Sequence, residues 1–222
     1  MNHWKAIVFD LDDTLYPERE YVRSGFRVVG DWAEQRLGFS QAIVRAELQA
    51  LFDAEFRGDT FQWWLTERGL PDSLLEEMVH VFRGHTPRIA LYPDAERVLE
   101  ERKPECIFGL VTEGRRENQQ AKIHALGLER WLKATVILGE EDRADWKPSR
   151  KPFDRVLEML SVRGGEAVYI GDNPLKDFRG AREAGMATVR LRRPEGLHAQ
   201  DEPATAKDAP DREIDSFDRL TE

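Results

Sequence analysis

Three carboxylates follow a short apolar segment close to the start of the 222-residue chain. Ala6-Ile7-Val8-Phe9 is continuous and apolar, and Asp10-Leu11-Asp12-Asp13-Thr14 comes directly after it. An apolar run that ends in polar residues is typical of a strand buried on both faces. Asp10 and Asp12, two residues apart at the end of such a strand, can converge on one ligand. Alone, the segment also fits an Asp-rich turn without chemistry.

Two further segments place polar residues behind apolar runs. Thr112-Glu113-Gly114 follows residues 107–111, and Gly171-Asp172-Asn173-Pro174 follows residues 167–170. A threonine hydroxyl can donate a hydrogen bond to a phosphate oxygen, beside the backbone N–H groups of the next turn. The same threonine also fits the N-cap of a helix that begins near Arg115.

A lysine before a proline offers a cation. An ammonium near a phosphate offsets the charge on the transferring group and favours the ionised form of a nearby carboxylate. Lys147-Pro148 and Lys151-Pro152 both have this form, and from the residues alone either lysine also fits an ordinary surface position.

Apolar runs and helical patterns alternate along most of the chain. The predicted strands are Ala6–Phe9, 107–111, 134–138, 167–170 and 187–191, and the predicted helices are 94–103, 115–126, 152–162 and 175–184. This alternation indicates βαβ units, so we predict an α/β fold: a Rossmann-like parallel sheet with helices on both faces. The carboxyl ends of its strands share one edge, where open α/β sheets bind ligands.

The pattern differs after the first strand. Residues 17–90 contain four amphipathic segments with helical spacing and no comparable strand pattern. We therefore predict a core domain of residues 1–16 and 91–222 and a smaller α-helical domain of residues 17–90. Residues 194–210 lack periodicity and predict a loop, while residues 212–220 fit a short strand or a closing helix.

The composition limits the expected partners and location. The formal net charge is −9 without a long run of lysine or arginine, so we expect no nucleic-acid partner. Cys106 is the one cysteine, which excludes an internal disulfide and fits a reducing compartment. The apolar stretch near the N-terminus is too short for a signal peptide, and no window is long enough for a membrane span. We expect a cytoplasmic protein without a membrane partner.

In order along the chain, these segments resemble the four motifs of the haloacid dehalogenase (HAD) superfamily. The matching residues are Asp10-Leu11-Asp12-Asp13-Thr14, then Thr112, then Lys147-Pro148 with Phe153, and last Gly171-Asp172 with Asp177, Gly180-Ala181 and Ala184-Gly185. Phe153 favours Lys147 over Lys151 as the motif lysine. The helical insertion resembles the cap that many members carry after the first motif.

The resemblance implies a role for each matched residue. Asp10 would be the nucleophile that forms an aspartyl-phosphate, and Asp12 the general acid and base. Asp177 would support the metal through water or orient Lys147. The implied catalytic residues are Asp10, Asp12, Thr112 and Lys147. The implied phosphate contacts are Thr112, Glu113, Gly114 and Lys147. The implied Mg²⁺ ligands are Asp10, Asp12 through its carbonyl, Asp172 and Asp177.

Two positions depart from frequent family patterns. Glu113 stands where Asn is frequent, and Ser149-Arg150 stands where many relatives have Asp-Pro. The first departure predicts altered contacts beside Thr112. In the cap, Arg57 lies next to Gly58 at a predicted break between helices, and it is the residue we expect to contact substrate.

The resemblance implies a Mg²⁺-dependent phosphatase, a phosphoric monoester hydrolase acting on a small phosphorylated metabolite. The alternatives are a phosphomutase, a 2-haloacid dehalogenase and a catalytically silent HAD-like binding domain. Asp12, Asp172 and Asp177 argue against the dehalogenase, and Asp13 argues against mutases, which tend to have Gly there. The substrate's identity and the oligomeric state stay open.

Overall fold

The computed structural model of the protein describes residues 4–54 and 58–220. The chain divides into two compact units, residues 1–18 with 90–222 and residues 19–89. In chain order the elements are β1 (Ala6–Phe9), α1 (Glu18–Leu37), α2 (Gln41–Asp53), α3 (Thr60–Glu67), α4 (Leu75–Arg83), α5 (Pro93–Arg102), β2 (Ile107–Glu113), α6 (Arg116–Ala125), β3 (Leu132–Leu138), α7 (Lys151–Leu160), β4 (Ala167–Gly171), α8 (Phe178–Glu183), β5 (Ala187–Leu191) and β6 (Arg212–Ile214).

The first unit is built on a six-stranded parallel sheet with the strand order β3-β2-β1-β4-β5-β6. β1 lies between β2 and β4, where Ala6 pairs with Ile107 on one side and Ala167 on the other. Every residue of β1 is fully buried, which explains why its sequence is a continuous apolar run and not an alternating one. The predicted α/β fold with a Rossmann-like parallel sheet is confirmed.

Both faces of this sheet are covered. On one face α7 packs on β2 and β3, and the ring of Phe153 meets Tyr169 edge-on with centroids 4.8 Å apart. On the other face Phe9 contacts Phe108 and Phe217, each with ring centroids 5.8 Å away. Full burial of one such side chain contributes about 1.5–3 kcal/mol, so the two layers hold the central strands firmly.

The strand order reverses direction at β1. After β1 the chain adds β2 and β3 on one side, and it then returns to add β4, β5 and β6 on the other side. Ligands of open α/β sheets bind outside the carboxyl ends of the strands at such a reversal. Asp10 directly follows β1, and Asp172 directly follows β4. The topology therefore brings these two carboxylates to neighbouring positions on one edge.

The second unit consists of α1 to α4. Its core is aromatic: the ring centroid of Phe26 lies 6.2 Å from that of Phe52, 6.0 Å from that of Phe61 and 6.0 Å from that of Phe82. The indole N–H of buried Trp64 donates a hydrogen bond of 2.9 Å to Glu47. Across the two described stretches of chain, no helix is both long and apolar enough to cross a membrane.

The structure corrects the predicted start of one helix and answers one alternative that the sequence left open. α8 begins at Phe178 and not at residue 175, because the Asn173 side chain accepts the N–H of Leu175 and holds a turn there. Residues 212–220 form both alternatives, with β6 extending the sheet and a 3₁₀ turn, Phe217–Arg219, closing on α5.

Candidate active site

A buried ion triad lies at the carboxyl edge of the sheet. The Lys147 ammonium donates to Asp10 Oδ1 at 2.5 Å and to Asp177 Oδ1 at 2.6 Å. The side chains of Lys147 and Asp177 have no exposure, and that of Asp10 is 9 % exposed. The Lys147 ammonium also contacts the Tyr169 hydroxyl at 3.1 Å. Lys147, 137 residues from Asp10 in sequence, is thus fixed beside it.

The triad has a defined charge state. Burial raises the pKa of Asp10 to about 7, although the Lys147 ammonium opposes the rise. Burial lowers the pKa of Lys147, but Asp10 and Asp177 outweigh burial and raise it well above its usual value. Burial also acts to raise the pKa of Asp177, which nevertheless lies below its usual value because of Lys147 and Lys176. Lys147 therefore stays charged, with Asp177 as its ionised partner.

The structure separates the two candidate lysines. Lys151 points to solvent with its side chain 72 % exposed, and it pairs with Asp145 at 2.6 Å. The loop that carries Lys147 packs against α8 at Gly180, where an added Cβ would lie 2.6 Å from the Pro148 carbonyl oxygen. Glycine at this position is therefore part of how the chain places Lys147.

Asp177 acts on the lysine through both of its oxygens. Its Oδ1 accepts from Lys147 and, at 3.0 Å, from the Tyr169 hydroxyl, while its Oδ2 accepts from the Asn173 N–H at 2.8 Å. Protein donors thus occupy the whole carboxylate. Of the two roles predicted for Asp177, these contacts match the orientation of Lys147.

Asp172 differs from Asp177 in how its carboxylate is hydrogen-bonded. Among the described residues its Oδ2 is buried without a hydrogen-bond partner. Burial, together with the nearby carboxylates of Asp177 and Asp10, raises the pKa of Asp172 well above its usual value. A buried carboxylate oxygen without a donor is costly unless a cation or a proton is present, so this atom marks a place for a ligand.

The Asp12 carboxylate accepts hydrogen bonds from residues outside the buried triad. Its Oδ1 accepts from the Lys122 ammonium at 2.7 Å and from the Tyr16 hydroxyl, and its Oδ2 accepts from Gln119 Nε2 at 3.1 Å. Gln119 Nε2 also donates to the Thr112 hydroxyl at 2.5 Å. Burial acts to raise the pKa of Asp12, but Lys122 and these hydrogen bonds outweigh it and lower the pKa.

Lys122 and Gln119 are functional candidates that sequence reasoning missed. Both are on α6, three residues apart, and both are at least 95 % buried. Residues three apart lie on one face of a helix. The available signal was therefore a lysine and a glutamine on the same face of the helix that follows Thr112.

Thr112 and the two residues after it are hydrogen-bonded to other parts of the protein. The Thr112 hydroxyl bonds to Gln119 and does not cap α6. The Glu113 carboxylate accepts the backbone N–H of Lys147 and, at 3.0 Å, the ammonium of Lys176. The Gly114 N–H donates to the Leu138 carbonyl at 3.0 Å. The Gly114 N–H is thus already bonded to Leu138, and the Glu113 carboxylate pairs with donors of the protein. The predicted phosphate contacts of both residues stay predictions.

A family model described as haloacid dehalogenase-like hydrolase matches residues 4–185. The chain belongs to this family. The resemblance predicted from the four motifs is thereby confirmed, and the buried triad lies in the part of the chain that defines this HAD-like hydrolase.

Relatives of this HAD-like hydrolase match it over nearly its whole length. It is 32 % identical over 230 residues to a glyceraldehyde 3-phosphate phosphatase of Methanopyrus kandleri, covering 95 % of this chain and 93 % of that protein. It is 29 % identical over 235 residues to a phosphoserine phosphatase of Thermus thermophilus, covering 90 % and 93 %. The crystal structure of a HAD phosphatase from Thermococcus onnurineus superposes with a TM-score of 0.61 at 26 % identity, covering 97 % and 95 %.

The predicted cap contact, Arg57, lies outside the residues that the structure describes. Within residues 4–54 and 58–220, no three His, Cys, Asp or Glu side chains gather as a ready-made metal site.

Proposed function

We propose that this HAD-like hydrolase is a Mg²⁺-dependent phosphatase that hydrolyses a small phosphomonoester through an aspartyl-phosphate on Asp10. The observation that carries the proposal is the buried Lys147 ammonium held between Asp10 and Asp177, beside the unpaired Asp172 oxygen. Positioned charge of this kind is what phosphoryl transfer requires of a protein. The two named relatives are both phosphatases of small metabolites, which supports the predicted class of phosphoric monoester hydrolase.

The residues present fit a magnesium ion. The unpaired Oδ2 of Asp172 and the carboxylate of Asp10 follow adjacent strands, and each has a raised pKa that a cation would relieve. Mg²⁺ is commonly held by one or two carboxylates with water and substrate phosphate completing the shell. Asp10, Asp172 and the Asp12 carbonyl would hold it, and when bound it supplies charge neutralisation at the phosphate.

The chemistry then follows from the positions of three side chains. An Asp10 oxygen forms a bond to phosphorus while the bond from phosphorus to the ester oxygen breaks, and the Lys147 ammonium offsets charge on the phosphoryl oxygens. Asp12 gives a proton to the departing oxygen and then takes one from the water that hydrolyses the aspartyl-phosphate. The lowered pKa of Asp12, due to Lys122, favours the ionised form that the second step needs, so the first step draws on the minor, protonated form.

For the second unit, α1 to α4, we propose the role of a cap that selects substrate and excludes water during the reaction. A cap domain of this kind favours a small phosphorylated metabolite over a macromolecule. The expected cytoplasmic location, and the expectation that neither nucleic acid nor membrane is a partner, stay predictions from the sequence.

The proposal is tested by a screen of phosphomonoesters that includes glyceraldehyde 3-phosphate and phosphoserine. We expect release of inorganic phosphate from at least one compound with Mg²⁺, and loss of the release in EDTA. Release that persists in EDTA would remove the metal from the proposal. Chloride release from a 2-haloacid would support the dehalogenase, and an isomeric phosphate ester without free phosphate would support the mutase.

Lys122→Met is expected to lower kcat about 10- to 100-fold on alkyl phosphates with little change in KM, because Asp12 loses the ammonium that holds it. The loss should be smaller on p-nitrophenyl phosphate, whose leaving oxygen needs no proton. Lys5→Met, which removes an exposed lysine paired with Glu166, is the matched control. Equal losses on both leaving groups would show that Lys122 does not act through the protonation of the departing oxygen by Asp12.

A further inference from the structure

The segment after β5 contacts the loops that carry the proposed metal ligands. Residues 192–201, here termed the β5 loop, lie outside all four motif segments. The ring of His198 in this loop joins Asn173, next to Asp172, to Asp201: Asn173 Nδ2 lies 3.0 Å from His198 Nε2, and His198 Nδ1 lies 2.6 Å from Asp201 Oδ2. His198 therefore connects the β5 loop to the residue that follows Asp172.

Hydrogen-bond matching fixes the orientation of this chain of contacts. Asn173 Oδ1 accepts the Leu175 N–H at 2.9 Å, so its amide nitrogen must be the atom that faces His198. An amide nitrogen only donates, so His198 Nε2 accepts. The proton is then on His198 Nδ1 and is donated to the Asp201 carboxylate. Each donor and acceptor is thus assigned: Asn173 donates to His198, and His198 donates to Asp201.

Arg190, on β5, makes a second connection to the same place. It is 1 % exposed, and its Nε donates to the Asp172 carbonyl at 3.2 Å. Its Nη2 donates to the carbonyl oxygens of His198 at 2.8 Å and Asp201 at 2.9 Å. One guanidinium therefore ties the main chain of Asp172 to the main chain of the β5 loop.

The β5 loop also reaches the loop after β1. The Leu197 N–H donates to Asp13 Oδ2 at 2.7 Å, and Asp13 Oδ1 accepts the Glu18 N–H at 2.8 Å. Asp13 has a φ of 53°, a left-handed conformation that is uncommon for residues other than Gly, Asn and Asp. The loops that follow both β1 and β4 are thus bonded to one segment.

We propose that the β5 loop is the positioning element of the metal site, and that His198 and Arg190 are its positioning residues. Within residues 4–54 and 58–220 no donor contacts the Oδ2 of Asp172, so the direction of this oxygen depends on the Asp172 main chain. That main chain is held by Arg190 at the Asp172 carbonyl and by His198 through Asn173. Hydrogen-bonding partners behind metal ligands typically change metal affinity about 10- to 100-fold. The inference rests on the proposed Mg²⁺ site.

The test compares His198→Leu with His198→Gln in protein stripped of metal. The glutamine carboxamide can accept from Asn173 and donate to Asp201, whereas leucine can do neither. Binding of Mn²⁺, followed by electron paramagnetic resonance without substrate, should weaken about 10- to 100-fold in His198→Leu and largely recover in His198→Gln. Amide hydrogen exchange of residues 172–177 should quicken in His198→Leu alone. Glu202→Gln, which removes an exposed partner of Arg192 near the same loop, is the control.

Arg190→Met removes a buried cation and is used only if the variant remains folded by circular dichroism. His198, with a side chain 33 % exposed, carries the test in any case. Wild-type Mn²⁺ affinity in His198→Leu, or an equal loss in His198→Gln, would overturn the positioning role while leaving Mg²⁺-dependent phosphatase activity intact. Wild-type protein that binds neither Mn²⁺ nor Mg²⁺ would overturn this inference and the proposed metal site together.

Discussion

Asp10→Asn is expected to lower kcat on the best phosphomonoester by about 10⁴-fold or more, because a carboxamide offers no anionic oxygen to attack phosphorus. The neighbouring groups are expected to stay in place. Asn and Asp have nearly the same shape, and Lys147 keeps Asp177 as an ionised partner at 2.6 Å. The loss should therefore fall on the chemical step, with the variant folded and still able to bind phosphate esters.

Two measurements separate this prediction from simple damage to the site. Acid-quenched wild-type enzyme should show a phosphoryl adduct on the peptide that contains residue 10, and Asp10→Asn should show none. The control is Asp154→Asn, which makes the same chemical change at an exposed carboxylate paired with Arg150. A variant that retains full kcat, or an adduct on a different peptide, would exclude Asp10 as the nucleophile.

Lys147→Met is expected to reduce both activity and stability. Loss of the ammonium beside the phosphoryl oxygens should lower kcat by about 10²- to 10³-fold. It also leaves two buried carboxylates, Asp10 and Asp177, without their cation, and breaking a buried ion pair on one side costs about 3–5 kcal/mol. We expect the free energy of unfolding, measured by urea titration in EDTA at pH 8, to fall by an amount in this range.

The stability deficit of Lys147→Met should depend on pH in a defined direction. Burial already raises the pKa of Asp10 to about 7 with Lys147 present, and without Lys147 it rises further. The pKa of Asp177, which Lys147 holds below its usual value, also rises when Lys147 is lost. Groups whose pKa is raised on folding hold more protons in the folded state, so stability is lost as pH rises through the folded-state pKa. The deficit should therefore be smaller at pH 5 than at pH 8.

The matched control is Lys151→Met. It removes a lysine from the second Lys-Pro pair, but that side chain is exposed and its pairing with Asp145 is a surface ion pair worth at most about 1 kcal/mol. A deficit in Lys147→Met that does not change between pH 5 and pH 8, or one matched by Lys151→Met, would contradict the buried triad as its cause.

Local sequence patterns are enough to predict the fold class and the proposed site residues that follow the strands. Strands buried on both faces must be continuous apolar runs, and the polar residues that end them must lie on one edge of a parallel sheet. Ala6–Phe9 with Asp10 behind it is such a case, and the matching end of β4 supplies Asp172. These properties depend on a few consecutive residues, so a local pattern is enough to predict them.

Which side chains meet depends on the tertiary structure. Lys147 and Lys151 have the same local form, and only the loop packing against Gly180 buries the first and exposes the second. Lys122 pairs with Asp12 across 110 positions of sequence, and His198 reaches Asn173 from a loop without any periodic pattern. Such pairings depend on how separate elements pack in three dimensions, and the spacing of residues along one element does not encode them.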